Sequence, residues 1–330
     1  MNSTSPNTQA ILLLTSDLSI PRTRQKVGAL TAARYRDFAI KMRDAGYQPS
    51  DLLGDKRAEM LDLLDDQDFR AQVKGLLERG LQLTQALENW RGRAIWVISR
   101  ADEEYPQILK SKLKHDAPAL LFGCGDLELA GKGGLGIVGS RRTDDEIESF
   151  TREQAQQAAN DGVTVISGGA KGVDLFAMES ALHAGGNVVG VLADSLMSKV
   201  VDRSARDAIV EGNLLLISPF DPESRFQVWK AMDRNKMIYA FSNATLVVNA
   251  DHKKGGTWDG AWKELTKYKS TPVYVRNKDT LALEALKEKG ARPWPNTFES
   301  DLATWITQEP KENDQAPPLS GEQMGFNFDR

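Results

Sequence analysis

The chain has 330 residues, 41% of them hydrophobic, and a formal net charge of −4. That length supports a sizeable core in two domains, or in one large domain with an appendage, and the mild acidity excludes a bulk, histone-like DNA binder while leaving room for a local basic groove. A single cysteine, Cys124, excludes an internal disulfide and suits a reducing cytoplasm; His115, His183 and His252 stand singly, with no zinc-ligand spacing, and no apolar run approaches the roughly 20 residues that span a bilayer.

Residues 1–8 are polar and read as disordered, and the run Ile11 to Leu14 is too short for a signal-peptide core. Residues 9–92 carry helical spacing. Leu30, Ala33, Phe38, Ile40 and Met42 mark one segment, Leu52, Leu53, Met60, Leu61, Leu63 and Leu64 a second, and Phe69, Val73, Leu76, Leu77, Leu81 and Leu83 a third. Gly46, Gly54 and Gly80 fall where these helices should end. The pattern predicts a small all-helical N-terminal domain.

From residue 93 to 307 short apolar runs alternate with helical stretches. Strands are predicted at 94–99, 119–123, 135–138, 163–167, 188–192, 214–217, 245–249 and 272–276, and helices at 144–160, 173–184, 200–211, 225–241 and 258–269. Such alternation builds βαβ units, so the expected fold class is α/β, an extended Rossmann-like, doubly wound and mostly parallel sheet. Residues 308–330 are polar and Pro-rich and read as a flexible tail.

Three glycine-punctuated strand ends carry the chemistry. The first is Gly139-Ser140-Arg141-Arg142, the second Ser167-Gly168-Gly169-Ala170-Lys171-Gly172-Val173-Asp174, and the third Lys253-Lys254-Gly255-Gly256-Thr257 after Asn249. Carboxyl ends of parallel strands lie along one edge, so these loops are expected to converge on one site. Backbone N–H groups at helix starts favour anions, and glycine admits a phosphate closely. The expected ligand is a phosphate, in a nucleotide or along a nucleic-acid strand. The alternative for Arg141 and Arg142 is a pair of solvated charges, and for Asp174 a helix cap or loop brace. Arg234, Asn235 and Lys236 lie on a helix before a strand, where an exposed charged face is the competing reading. Nearby Arg225, Phe226 and Trp229 add the cation–aromatic pairing that holds single strands, although core packing is the commoner fate of such a tryptophan. At least one of Trp258 and Trp262, four apart, is expected to pack. The letters GxGxxG occur at 134–139, but the glycines precede or interrupt the strand, which argues against a dinucleotide fingerprint. No cofactor is expected.

In their order these motifs resemble the DNA-processing protein A (DprA, or Smf) family. The resemblance covers about residues 93–293 and includes Asp102 to Leu109, Ala117 to Phe122 with Gly125, and Gly185-Gly186 followed by Val189 to Leu192. It implies a single-stranded DNA-binding protein, not known for catalysis, that forms a homodimer and hands DNA to a RecA-type recombinase. By motif, Arg141, Lys171, Arg234 and Lys236 would grip phosphates while Ser140, Gly168, Gly169 and Asn235 shape the pocket. The chain departs from the family at Ala177-Met178 and in its GGTWDGAW loop, and nothing after Leu302 resembles a winged helix. These departures imply a divergent branch, serving natural transformation and recombination or a specialised system such as antiphage defence with a cognate toxin.

Two other readings remain open. The loop at Gly256 distantly resembles the PGGxGTxxE site of lysine-decarboxylase-like phosphoribohydrolases, with Gly260 in place of the catalytic Glu and Asp259 or Glu264 as substitutes. A sensor of free nucleotide is the other. In the tail, Gln323 to Phe328 weakly resembles peptides that dock in a replication sliding clamp.

Overall fold

A computed structural model describes residues 4–19, 27–298 and 300–308. The N-terminal part holds α1 (Pro6–Thr15), α2 (Ala32–Asp44), α3 (Arg57–Asp62), α4 (Gln67–Leu77) and α5 (Gly80–Arg91). There follow β1 (Trp96–Ser99), α6 (Gln107–Leu113), β2 (Leu120–Cys124), α7 (Glu128–Gly131), β3 (Leu135–Val138), α8 (Asp145–Asn160), β4 (Val165–Ser167), α9 (Val173–His183) and β5 (Val188–Val191). The chain continues through α10 (Leu196–Lys199), α11 (Arg203–Val210), β6 (Leu214–Ser218), α12 (Val228–Phe241), β7 (Ala244–Val247), α13 (Gly255–Lys263), β8 (Val273–Val275), α14 (Leu281–Lys287), β9 (Arg292–Pro293) and α15 (Leu302–Gln308).

The nine strands form one sheet in the order β1-β2-β6-β5-β4-β3-β7-β8-β9. Strands β3 to β9 are parallel, while β2 runs antiparallel to β6 and β1 antiparallel to β2. The expected α/β class is therefore the observed one. Successive side chains alternate between two cores, one on each face of the sheet. Leu135, Val165, Val188 and Leu214 face α8, α9 and the N-terminal helices; Val138, Ile166, Val189 and Leu215 face the side of α6, α12, α13 and α14.

The N-terminal boundaries differ from those expected. Residues 6–8 are helical, because Ser5 caps α1 by accepting the Thr8 N–H at 3.1 Å and Pro6 opens it. The polar opening residues are a helix start, anchored by the Ser5 and Thr8 hydroxyls donating to Asp102. Ala10 to Leu14 are all buried, as in a helix enclosed on every side. That helix packs against β1 and β2, and Trp90 meets Phe122 edge to face at 5.1 Å. Residue 92 thus marks a change of secondary structure within one continuous core. Gly80, expected to end a helix, opens α5, the break falling at Glu78 and Arg79. Among the described residues no helix is long and apolar enough to cross a membrane. The clamp-like peptide at 323–328 lies outside the described residues, as does nearly all of the predicted tail.

Candidate functional site at the switch point of the sheet

Strand order decides where a site can form. After β3 the chain moves toward β4, and after β7, the neighbour of β3 on the other side, it moves toward β8. Loops leaving adjacent strands in opposite directions open a crevice at their carboxyl ends. A cavity of about 350 Å³ occupies that crevice, lined by Val138 to Arg142, Ala170, Asp174, Phe226, Val228, Ala231, Met232, Arg234, Asn235, Tyr239, Asp251 and Lys254 to Thr257.

The two loops are stitched together. Asn249 accepts the Ser140 N–H at 2.7 Å and donates its amide to the Arg142 carbonyl at 3.2 Å. Thr257 donates to the Gly139 carbonyl at 2.7 Å, and the Asn235 amide donates to the Gly256 carbonyl at 2.8 Å. Gly255, at φ 79°, lets the chain turn into α13, whose N-terminus faces the crevice and favours an anion there. Arg141, Arg142 and Lys254 are exposed around the opening.

Beneath the cavity lies a buried pair. Arg234 is 4% exposed and donates to the Val191 carbonyl. Burial pushes the Asp174 carboxyl above its ordinary range, opposed by the Arg234 charge and by N–H groups of Gly139, Ala170 and Gly168. Burial in turn lowers Arg234, opposed chiefly by Asp174. Arg234, expected as a surface grip, is an internal counter-ion whose guanidinium forms part of the cavity floor.

The glycine-rich segment after β4 also serves the interior. A Cβ at Gly168 would lie 1.8 Å from the Arg234 guanidinium and 2.5 Å from the Asp174 carboxylate. One at Gly172 would lie 2.6 Å from the Ser140 carbonyl oxygen, and both Gly169 and Gly172 have positive φ. The backbone admits the protein's own groups here, where the sequence suggested a ligand. Ser167 is buried and donates to the Ile137 carbonyl at 2.6 Å. Lys171 is exposed but does not line the cavity. Lys236 is 13% exposed and ion-paired with Asp233 at 2.6 Å, and Lys253 lies outside the lining. Of the expected site residues, the structure gathers Gly139, Ser140, Arg141, Arg142, Arg234, Asn235, Lys254, Gly255, Gly256 and Thr257 around the cavity. Ser167, Gly168, Gly169, Lys171, Lys236 and Lys253 do not line it.

Exposed rings stand at and beside the cavity, with Phe226 in its lining and Trp229 outside it. Phe226 and Trp229 are 45% and 54% exposed, so Trp229 is not core. The Arg141 guanidinium stands 4.8 Å from the Phe226 ring centre. Trp229 meets Phe220 edge to face at 5.6 Å, and the Lys230 ammonium lies within 5.6 Å of both rings. Trp258 is buried and stacks on Trp262 at 5.5 Å, the packing role expected for one of that pair. Asn249 was missed as a site residue, although its place at the end of a strand beside the switch point is a usable signal. Among the described residues no cluster of three potential metal ligands occurs.

The family model for DNA recombination-mediator protein A matches residues 96–296, well over half of the chain. The DNA processing protein DprA of Bacillus subtilis is 29% identical over 199 residues, covering 58% of this chain and 64% of the relative. Protein Smf of Escherichia coli is 33% identical over 159 residues, covering 47% and 42%. The chain thus spans less than two thirds of the length of these relatives. The DprA structure from Streptococcus pneumoniae superposes with a TM-score of 0.61 at 20% identity, covering 78% of this chain and 89% of that one. DprA from Helicobacter pylori, whose structure is described for its single-stranded DNA binding mode, superposes with a TM-score of 0.52 at 24% identity, covering 64% and 94%. Cavity and motifs fall inside the matched span, and the chain belongs to the DNA recombination-mediator protein A family.

Proposed function

We propose that this protein binds single-stranded DNA without catalysing a reaction, with the strand crossing the switch-point cavity. The observation that carries this reading is the meeting, around one cavity, of exposed cations (Arg141, Arg142, Lys254) with the exposed ring of Phe226, while the exposed Trp229 stands three residues further along the chain, outside the lining. Cations track phosphates and rings stack bases, the combination that holds a single strand without reading its sequence. The α13 N-terminus and Ser140 add uncharged donors for phosphate oxygens. The single-stranded DNA binding of the Helicobacter pylori relative supports this reading. The biological setting proposed is DNA processing and recombination, as a homodimer delivering strands to a RecA-type recombinase; an antiphage role beside a cognate toxin is the variant that the divergent GGTWDGAW loop suggests.

The carboxylates considered for hydrolysis are engaged elsewhere. Asp259 accepts from Lys263 at 2.7 Å, and Glu264 is buried, accepting from the Ser270 and Thr271 N–H groups at 2.6 and 2.7 Å. Neither lines the cavity.

Fluorescence anisotropy of a labelled oligothymidylate against salt tests the proposal. Affinity should fall log-linearly, with a slope of about −0.7 for each phosphate contacted. Absent or salt-independent binding, or hydrolysis of a nucleoside monophosphate, rejects it.

A further inference from the structure

The segment joining β6 to α12 leads to the exposed rings, yet its anchor lies on the far side, in the N-terminal helical layer. Asp221 is that anchor. One of its carboxylate oxygens accepts the Ser16 hydroxyl at 3.0 Å and the Ser19 N–H at 2.9 Å. The other accepts the Ser19 hydroxyl at 3.1 Å and the Glu223 N–H at 3.1 Å. Three of these four donors come from more than 200 residues away in sequence, just past the end of α1. The hydroxyl directions are fixed, because Ser16 Oγ also accepts the Leu18 N–H at 3.0 Å and Ser19 Oγ accepts the Trp90 indole N–H at 3.2 Å. All four groups facing Asp221 are donors, so the site requires an acceptor on both oxygens.

The turn held this way is strained. Leu18 and Ser19, neither a glycine, sit in the left-handed region at φ 54° and 58°. Such conformations persist only where surrounding contacts hold them.

From Asp221 a short path leads to the rim. Its carbonyl accepts the Ser224 N–H at 2.8 Å, closing a turn. The Ser224 hydroxyl accepts Lys230 Nζ at 2.6 Å, and Lys230 lies against Phe220 and Trp229. Phe226, two residues beyond Ser224, sits under Arg141.

We propose that Asp221 is a positioning residue that latches the end of α1 to the β6–α12 segment, and that through this latch the helical layer sets Phe226 at the cavity and Trp229 beside it. The latch is a statement about the protein alone; its effect on DNA rests on the function proposed above. The test uses the full chain with Asp221→Asn, which keeps size but turns a donor toward donors, and Asp221→Glu, which keeps both acceptors. Without DNA, hydrogen exchange of peptides within 218–230 should rise about tenfold or more in Asp221→Asn, with the parallel strands unchanged and Asp221→Glu intermediate. Should Asp221→Asn not fold, the double variant Ser16→Ala, Ser19→Ala removes the same hydroxyls.

With an oligothymidylate, Asp221→Asn should weaken binding about five- to tenfold at unchanged salt slope, since the phosphate contacts remain. In a Phe226→Ala, Trp229→Ala background the same change should have no further effect. Unchanged exchange overturns the latch. Faster exchange with fully additive affinity losses overturns its link to the rim. If the wild-type chain fails to bind the oligonucleotide, the DNA reading falls, and the exchange result alone decides the latch.

Discussion

The loop after β4 and the loop pair after β3 and β7 look alike in sequence and do opposite work. Both are rich in glycine, both carry lysine or arginine, and both open a helix. In the first, Gly168 and Gly172 make room for Arg234, Asp174 and the Ser140 carbonyl, all groups of the protein itself. In the second, Gly139 also packs internally, but Arg141, Arg142, Lys254 and the α13 N-terminus surround an open cavity. Glycine density reports that something approaches the backbone closely; strand order decides whether that something is a ligand. Only β3 and β7 flank the reversal in winding direction, and there the loops diverge.

If the loop after β4 is a stability element, its buried counter-ion gives the largest effect. Arg234→Met should lower unfolding free energy by roughly 3–5 kcal/mol, because Asp174 is left as an uncompensated buried charge. Urea unfolding measures this. The sign with pH follows from Asp174, whose folded carboxyl lies above its unfolded value. The folded state then binds the proton more tightly, so stability declines as pH rises from about 4, the unfolded Asp range, through the folded value. Removing Arg234 raises that folded value further, so the deficit should be smallest near the acid end and largest at neutral pH. A pH-independent loss below about 1 kcal/mol, the scale of exposed pairs, would return Arg234 to the surface role that its motif suggested.

The limits of the sequence are physical. Short continuous apolar runs such as Leu135 to Val138 and Leu214 to Ile217, alternating with helical stretches, are local signals, so the sheet and its class were legible. The convergence of all three strand-end loops was the expectation; most of the lining comes from the first and third, and the second contributes only Ala170 and Asp174. The burial of Arg234 was not legible, because its partner Asp174 is 60 residues away and a charged residue on a helix looks the same whether it faces solvent or a carboxylate. Trp229 misled in the other direction, since helical spacing does not reveal that the first turn of α12 leaves this ring 54% exposed. The start of α1 is legible in Ser5-Pro6, a cap followed by a first-turn proline, although the polar composition around it is equally that of a disordered end.

The next effects sharpen the comparison at the rim. Arg141→Ala should weaken oligothymidylate binding by about 1.5–3 kcal/mol, the scale of a charge-assisted hydrogen bond, and reduce the salt slope by about 0.7. Trp229→Ala should cost about 1 kcal/mol, the lower end for base stacking, since the ring is half exposed, and should leave the slope unchanged. Equal slope changes in both would mean that the ring contributes only by placing Lys230.

Lys171→Ala probes the comparison most finely because its expected effect is the smallest. The side chain is exposed and stands in the motif that resembles a phosphate grip, yet it does not line the cavity. The lysine side chain itself is exposed, although Gly172 to Asp174 after it are buried, so removing its charge should leave stability within about 0.5 kcal/mol. Lys171 follows the lining residue Ala170 but does not line the cavity itself, so it meets a short bound strand only through a solvent-screened field. Affinity for an oligonucleotide just long enough to fill the cavity should therefore change by no more than about twofold, with the slope intact. Lengthening the oligonucleotide step by step in the same titration locates the path. If the Lys171→Ala defect emerges only beyond a threshold length, the strand leaves the crevice over the β4–α9 loop, and that loop serves as a track beyond the site. A defect as large as that of Arg141→Ala at the shortest length would merge the two loops into one functional unit.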